Sequence, residues 1–182
     1  MLARVRHLAV SAIGRDRPGI VAEISGVLLR HEANLEDSQM TILRGHFAMM
    51  LVLAAPDDVD RDALAADLDS AATALELEAL TLRDVGDLAA SGPEPSHMVT
   101  VYGVDHPGIV HAAATALAGR SVDITDLNTR LLEDEGERLY VLMMEVALPP
   151  GLTPDELERE LAGVGMAEGV EVTLRELEQD AL

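Results

Sequence analysis

The stretch GRDRPGIV, which runs from Gly14 to Val21, determines how the rest of the chain is interpreted. The chain repeats it 89 residues later as GVDHPGIV, from Gly103 to Val110, with six of the eight positions identical. At roughly one chance in fifteen per position, coincidence is on the order of one in a million. The chain therefore contains an internal duplication.

The duplication extends beyond the motif. At the same spacing, ANLEDS in the first copy aligns with VDITDL in the second. Identical or similar residues coincide along both copies at Val10 and Val99, Leu28 and Leu117, Asn34 and Asp123, and Asp37 and Asp126. Each copy is therefore interpreted as one structural unit.

The first copy predicts the element order β-α-β-β-α-β from its apolar periodicity and turn residues. The segments are the strand Leu8–Ile13, a helix with Pro18 in its first turn, a hairpin at Arg44 and Gly45, a strand Phe47–Ala54 covered on both faces, a helix marked by Leu64 to Leu75 and a closing strand Ala79–Val85.

The second copy predicts the same order. Thr153-Pro154-Asp155-Glu156 has the pattern of a capping box with proline at the first helical position. The segments are Met98–Tyr102, a helix opened by Pro107, a hairpin at Asp134 to Gly136, the strand Leu139–Leu148, the capped helix and the closing strand Val170–Leu177.

This order is the ferredoxin-like arrangement, so the fold class is α+β. We expect two βαββαβ domains in tandem, each an antiparallel sheet with its helices on one face. The segment GDLAASGPEPS has the composition of a linker. The predicted domains are residues 1–85 and 97–182, joined by a linker at 86–96.

Composition excludes several classes of function. The net charge is −20, and all 13 basic residues are arginine. Such a chain repels phosphate backbones and anionic membranes, so neither nucleic acid nor membrane is an expected direct partner. Without lysine it has no phosphate-loop lysine and no Schiff base. Without cysteine it has no disulfides, and a cytoplasmic location is expected.

The repeated turn joins the first strand of each copy to the first helix. Free N–H groups at a helix start favour an anion such as a ligand carboxylate. The carboxylates of Asp16 and Asp105 could instead cap those N–H groups with no ligand present. Asn34 and Asp123 follow the turn of their own copy at the same distance along the chain. An amide or a carboxylate at this position can accept hydrogen bonds from the ammonium group of a small polar ligand.

Together, DRPGIV and NLEDS followed by an apolar strand resemble the ACT domain, a small ferredoxin-like module that binds amino acids. The resemblance implies a regulator that senses a small amino acid, such as glycine or serine, where two ACT units meet. If such a regulator controls genes for amino-acid metabolism, its strongly negative charge predicts that it acts through a partner regulatory protein. The ligand-binding positions implied are Asp16, Pro18, Gly19, Ile20, Asn34 and Leu35 in the first copy, and Asp105, Pro107, Gly108, Ile109, Asp123 and Ile124 in the second.

The residues favour no catalytic centre. The six histidines lack metal-ligand spacing, and no nucleophile elbow or phosphate loop occurs. We therefore expect no enzymatic activity, no metal and no cofactor. Exposed sheet edges favour pairing of two chains into a homodimer. A protein-interaction adaptor that binds no ligand is the alternative function.

Overall fold

The computed structural model describes residues 5–86, 92–134 and 137–177. The chain divides into two compact units, Met1–Ala89 and Ala90–Leu182. Each unit contains a four-stranded antiparallel sheet and two helices, in the predicted order β-α-β-β-α-β. The predicted fold class is confirmed. The domain limits of 85 and 97 stay a prediction, and part of the predicted linker lies outside the described residues.

The first unit has the strand order β2-β3-β1-β4, which makes β2 an edge strand. Its strand β3 pairs with both β1 and β2. The elements are β1 (Val5–Arg15), α1 (Ile20–Arg30), β2 (Asn34–Leu43), β3 (His46–Pro56), α2 (Arg61–Ala74) and β4 (Leu77–Asp84).

The second unit has the equivalent order β6-β7-β5-β8, with β6 at the edge. Positions 135 and 136 of the predicted hairpin lie outside the described residues. The elements are β5 (His97–Val104), α3 (Ile109–Gly119), β6 (Asp123–Asp134), β7 (Glu137–Ala147), α4 (Pro154–Glu168) and β8 (Glu171–Glu176).

The helices of each unit cover one face of its sheet. In the first unit, Ile24 of α1 and Leu64 of α2 are fully buried against the strands. Strand β3 alternates, with Met49 6% exposed and Met50 54% exposed. The expectation of a strand covered on both faces is therefore wrong at Met50, because successive side chains point to opposite faces and the helices occupy only one.

The turns follow the local chemistry of their residues. Arg44 and Gly45 both have positive φ, as the predicted hairpin requires. In α4, the Thr153 backbone N–H donates to a carboxylate oxygen of Glu156 at 3.0 Å, so the predicted capping box is confirmed. Pro154 occupies the first turn of that helix, as predicted.

The prolines of the repeated motif lie outside the helices. Gly19 is the N-cap of α1, and Pro18 precedes it by one residue; Gly108 and Pro107 have the same relationship at α3. The expectation of a proline inside the first helical turn is therefore wrong in both copies. The reason is that a glycine with positive φ redirects the chain before the helix begins. In the described ranges, no helix has both the length and the apolar character needed to cross a membrane.

Candidate functional site

The repeated turn, called the DxPG turn below, comprises Asp16–Gly19 in the first unit and Asp105–Gly108 in the second. Each DxPG turn is hydrogen-bonded to the neighbouring hairpin of its own unit. The backbone N–H of Asp16 donates to the carbonyl oxygen of Gly45 at 3.0 Å. In the second unit, the backbone N–H of Asp105 donates to the carbonyl oxygen of Arg138 at 2.9 Å. These bonds position both turns against the end of the sheet where the hairpins lie.

Neither helix start is capped by a side chain. Gly19 (φ 99°) and Gly108 (φ 115°) are the N-caps of α1 and α3, and neither cap has a side-chain hydrogen bond. The alternative in which Asp16 and Asp105 cap the helices is therefore wrong. The first N–H groups of an α-helix have no partner within the helix, and at these two helix starts they are available to an anion.

The residue that follows each glycine belongs to the core. The side chains of Ile20 and Ile109 are only 2% and 3% exposed. Each can therefore offer a ligand its backbone N–H group but not its side chain. Pro18, Gly19, Pro107 and Gly108 are exposed and form the accessible surface of the two turns.

The space in front of the two glycines differs. A Cβ built on Gly19 has no heavy atom within 4 Å, whereas one built on Gly108 lies 3.6 Å from the Oε2 atom of Glu168. A carboxylate therefore lies beside the second helix start. Since it repels an anionic ligand, the two turns are electrostatically unequal.

The residue after each aspartate makes a contact that sequence reasoning missed. Arg17 forms an ion pair with Glu76, which immediately precedes β4. At the equivalent position, the Nε2 atom of His106 lies 2.9 Å from the carbonyl oxygen of Glu168, the last residue of α4. The sequence contained one indication of these contacts: the position after the aspartate carries arginine in the first copy and histidine in the second, and both side chains can donate hydrogen bonds.

His106 lies among hydrogen-bond acceptors. Its Nδ1 atom is 3.1 Å from the carbonyl oxygen of Pro107. The carbonyl groups of Pro107 and Glu168 raise the pKa of His106, and the carboxylates of Glu168 and Asp105 contribute in the same direction. The imidazolium form is therefore favoured at this turn relative to a free histidine.

Asn34 and Leu35 begin the edge strand β2 and line two different clefts. Asn34 lines an open cleft of about 550 Å³ together with the acidic residues Glu32, Asp57 and Asp58. Leu35, which is 48% exposed, lines a groove of about 220 Å³ beside α1. The acidic cleft suits an ammonium group, whereas the groove is mainly apolar.

Asp123 and Ile124 begin the equivalent edge strand β6. They pair with Ala147 and Val146 of β7, and the register shifts immediately after Ile124. The first unit has the same shift after Leu35. The structure therefore reproduces the predicted equivalence of Asn34 and Asp123 at the start of an edge strand.

Within one unit, the turn and the edge-strand residue lie at opposite ends of the sheet. Asn34 and His7 both pair with Ala54, whereas Gly14 pairs with Phe47. The seven steps along the strand from His7 to Gly14 span about 23 Å at about 3.3 Å per residue. A single α-amino acid, whose carboxylate and ammonium groups share one carbon atom, cannot reach both ends.

Within residues 5–86, 92–134 and 137–177, no group of three or more His, Asp or Glu side chains is arranged to hold a metal ion. The candidate site consists of the two uncapped helix starts and the two edge-strand positions described above.

The first unit matches a known family, the ACT domain. The family model for the ACT domain matches residues 6–80. A UPF0237 protein of Methanopyrus kandleri is 47% identical over 72 residues, which are 39% of this chain and 80% of that protein. The chain therefore belongs to the ACT domain family.

Similarity also extends across both units. The glycine cleavage system transcriptional repressor of Escherichia coli is 25% identical over 165 residues, covering 88% of this chain and 84% of the repressor. A solved structure of an unknown protein from Galdieria sulphuraria has a TM-score of 0.80 and 30% identity, covering 96% of this chain and 99% of that one. The tandem ACT architecture is thus shared with other proteins.

One enzyme also aligns with nearly the whole chain. The phosphoserine phosphatase of Streptomyces coelicolor is 30% identical over 173 residues, which are 93% of this chain. Those residues make up 40% of the phosphatase. The similarity is therefore to a minor part of that enzyme.

Proposed function

We propose that this protein is a non-catalytic regulator that binds a small amino acid, of the size of glycine or serine, through its DxPG turns. The observation that carries the proposal is the uncapped start of α1, where Gly19 has a φ of 99° and no side chain satisfies the first N–H groups. These groups receive the ligand carboxylate. The similarity to the E. coli glycine cleavage repressor supports a regulatory role.

The ligand ammonium group is received at the start of an edge strand. Asn34 lies in a cleft with three carboxylate-bearing residues, Glu32, Asp57 and Asp58. Its amide can both donate to a carboxylate and accept from an ammonium group. This chemistry selects a zwitterion over a simple anion.

The ligand is held between ACT units of two copies of the chain. One unit keeps its own turn and its own Asn34 about 23 Å apart, on the strand spacing of about 3.3 Å per residue. Another ACT unit must therefore supply one of the two groups, and we place that unit in a second copy of the chain. In this proposal the regulator is a homodimer, and amino acid binding strengthens the dimer.

The regulator acts through another protein in the cytoplasm. A net charge of −20 opposes direct contact with a nucleic-acid backbone. In the proposed mechanism, the amino acid stabilises one form of the dimer and thereby changes its affinity for a partner regulatory protein. That partner in turn controls genes of amino-acid metabolism.

Thermal unfolding in the presence of each of the twenty amino acids tests the proposal. A ligand at about one hundred times its dissociation constant stabilises the folded state by about 2.7 kcal/mol. Glycine or serine should raise the unfolding temperature, and acetate and methylamine at equal concentration serve as controls with one charged group each. If no amino acid raises it, the sensing function is wrong.

A ligand-independent adaptor is the second candidate. Its supporting observation is the edge strand β2, which is exposed along all ten residues and carries apolar side chains, including Met40 and Ile42 at 45% and 49% exposure. An exposed strand edge can pair with a strand of another protein. Partner binding whose affinity is the same with and without amino acids would favour this function.

A further inference from the structure

We propose that His106 is a protonation-dependent latch that ties the DHPG turn of the second unit to the C-terminal end of α4. The latch is strongest when the imidazole is protonated and both ring nitrogens donate, and it is weakened when the ring is neutral and keeps a single N–H donor. Its effect on an amino-acid ligand rests on the proposed function, whereas the latch itself does not.

The geometry places an acceptor at each ring nitrogen. Nδ1 lies 3.1 Å from the carbonyl oxygen of Pro107, and Nε2 lies 2.9 Å from the carbonyl oxygen of Glu168. A neutral imidazole carries one N–H group and can donate to only one of these oxygens, whereas an imidazolium donates to both. Deprotonation therefore leaves one of the two oxygens without a donor. Because the proton that remains is shared between the two ring nitrogens, the hydrogen bond to Glu168, the only one from this side chain to α4 among the described residues, is made in one tautomer and lost in the other.

The position on α4 also favours the cation. Glu168 is the last residue of that helix, where carbonyl groups lack intrahelical partners and the helix dipole is negative. A protonated histidine at a helix C-terminus is stabilised by this dipole. The latch thus joins two structural elements that are 62 residues apart in the chain.

The charged groups around His106 are mainly acidic. The Oε2 atom of Glu168 lies 3.9 Å from Nδ1, and Asp105 belongs to the same turn. Arg138 of β7 faces Asp105 at 4.0 Å and offsets part of its charge. Consistent with these surroundings, the pKa of His106 lies above its ordinary value, with the carbonyl groups of Pro107 and Glu168 as the largest causes.

The first unit has no equivalent titration at this position. The equivalent residue there is Arg17, which pairs with Glu76. A guanidinium group carries a fixed charge, unlike an imidazole. The repeated turn therefore carries a permanent cation in one copy and a titratable one in the other. Of these two equivalent positions, only 106 carries a side chain of the type that titrates near neutral pH.

Protonation also alters the electrostatics at the start of α3. The Glu168 carboxylate lies 3.6 Å from the position of a Cβ atom on Gly108. When His106 is neutral, this carboxylate is unopposed by the latch and repels an incoming anion. When His106 is protonated, its charge opposes that of Glu168, so an amino-acid carboxylate binds the second turn better at low pH.

NMR titration of the full chain tests the latch without any ligand. We expect the ring signals of His106 to report a pKa above 6.5, the ordinary value. The backbone amides of Gly108 and Gly169 should titrate with the same midpoint. In His106→Arg and in His106→Gln the titration of these amides should disappear, because neither side chain titrates near neutral pH.

His111→Gln is the matched control, since His111 is an exposed histidine on α3. It should leave the midpoint at Gly108 unchanged. A His106 pKa at or below 6.5 in the wild-type chain overturns the latch, and that measurement needs no variant to fold. Persistence of the Gly108 titration in His106→Gln also overturns it. A measured latch with no glycine binding at any pH contradicts the proposed function alone.

Discussion

Gly103 lies against Val170 so closely that a Cβ atom on the glycine would be 2.7 Å from the valine Cγ1 atom and 3.2 Å from its Cα atom. Gly14 has the same relationship with Leu77 in the first unit, where a Cβ atom would lie 2.9 Å from Cδ2. The first glycine of the repeated motif thus allows the end of β1 or β5 to approach the closing strand. This close approach gives the glycine a role in packing.

Gly103→Ala should destabilise the second unit by about 1–3 kcal/mol, the usual cost of overpacking. Backbone atoms of Val170 form part of the obstacle and cannot rotate away. Gly163→Ala is the matched control, because this helical glycine has open space around its Cβ position. It should stabilise α4 by about 0.5–1 kcal/mol. Urea unfolding of both variants measures the difference, and equal effects would contradict the packing role.

Glu156 should make stability depend on pH at the start of α4. The backbone N–H and then the hydroxyl group of Thr153 lower the pKa of Glu156 below its ordinary value of 4.5. Its contribution is therefore present above pH 4.5 and lost as the pH falls through the lowered pKa.

The unfolding temperature of Glu156→Gln should lie below that of the wild type above pH 4.5, and the gap should narrow in more acidic buffer. Glu158→Gln, an exposed change two residues further along α4, is the control and should show no such gap. If the difference in unfolding temperature between Glu156→Gln and the wild type is the same in strongly acidic and in neutral buffer, the proposed role of the capping box is contradicted.

Asn34→Ala should lower the affinity for glycine by about 10- to 100-fold, the equivalent of one hydrogen bond to a charged group. Asp123→Ala should leave most of the binding intact. An ionised aspartate can only accept hydrogen bonds, and the second helix start already faces the carboxylate of Glu168. Gln39→Ala, another exposed change on β2, is the control. Calorimetry measures all three, and equal losses from Asn34→Ala and Asp123→Ala would show that the two copies are not functionally distinct.

The purified protein should not bind duplex DNA at physiological salt. Its net charge of −20 repels the phosphate backbone. Affinity for DNA comes largely from basic residues that displace counterions, and the chain has 13 basic residues against 33 acidic ones. A gel shift at micromolar protein concentration measures this. A discrete shifted band for the protein alone would contradict action through a partner protein.

Much of the fold could be predicted because its signals are local. The hairpin at Arg44 and Gly45 and the capping box at Thr153 depend on residues a few positions apart, and both occur as predicted. The exposure of Met50 could not be predicted in this way. An apolar strand has the same composition whether one face or both are covered, and only the placement of the helices distinguishes the two cases.

The candidate site was predicted less completely. The sequence located both DxPG turns but left open whether Asp16 and Asp105 cap the helices. That question depends on the backbone at Gly19 and Gly108, where positive φ turns the chain and leaves the caps without a side-chain hydrogen bond. A motif specifies which residue types are present and does not specify the direction in which a carboxylate points.

By itself, the sequence determined that the chain is a duplicated βαββαβ unit, because repeated letters and apolar periods are properties of the chain alone. Only the tertiary structure decided that the turn and Asn34 lie at opposite ends of one sheet. It alone placed His106 on a carbonyl oxygen 62 residues away. The physical reason is that strand register and helix packing bring together or separate residues regardless of their distance along the chain.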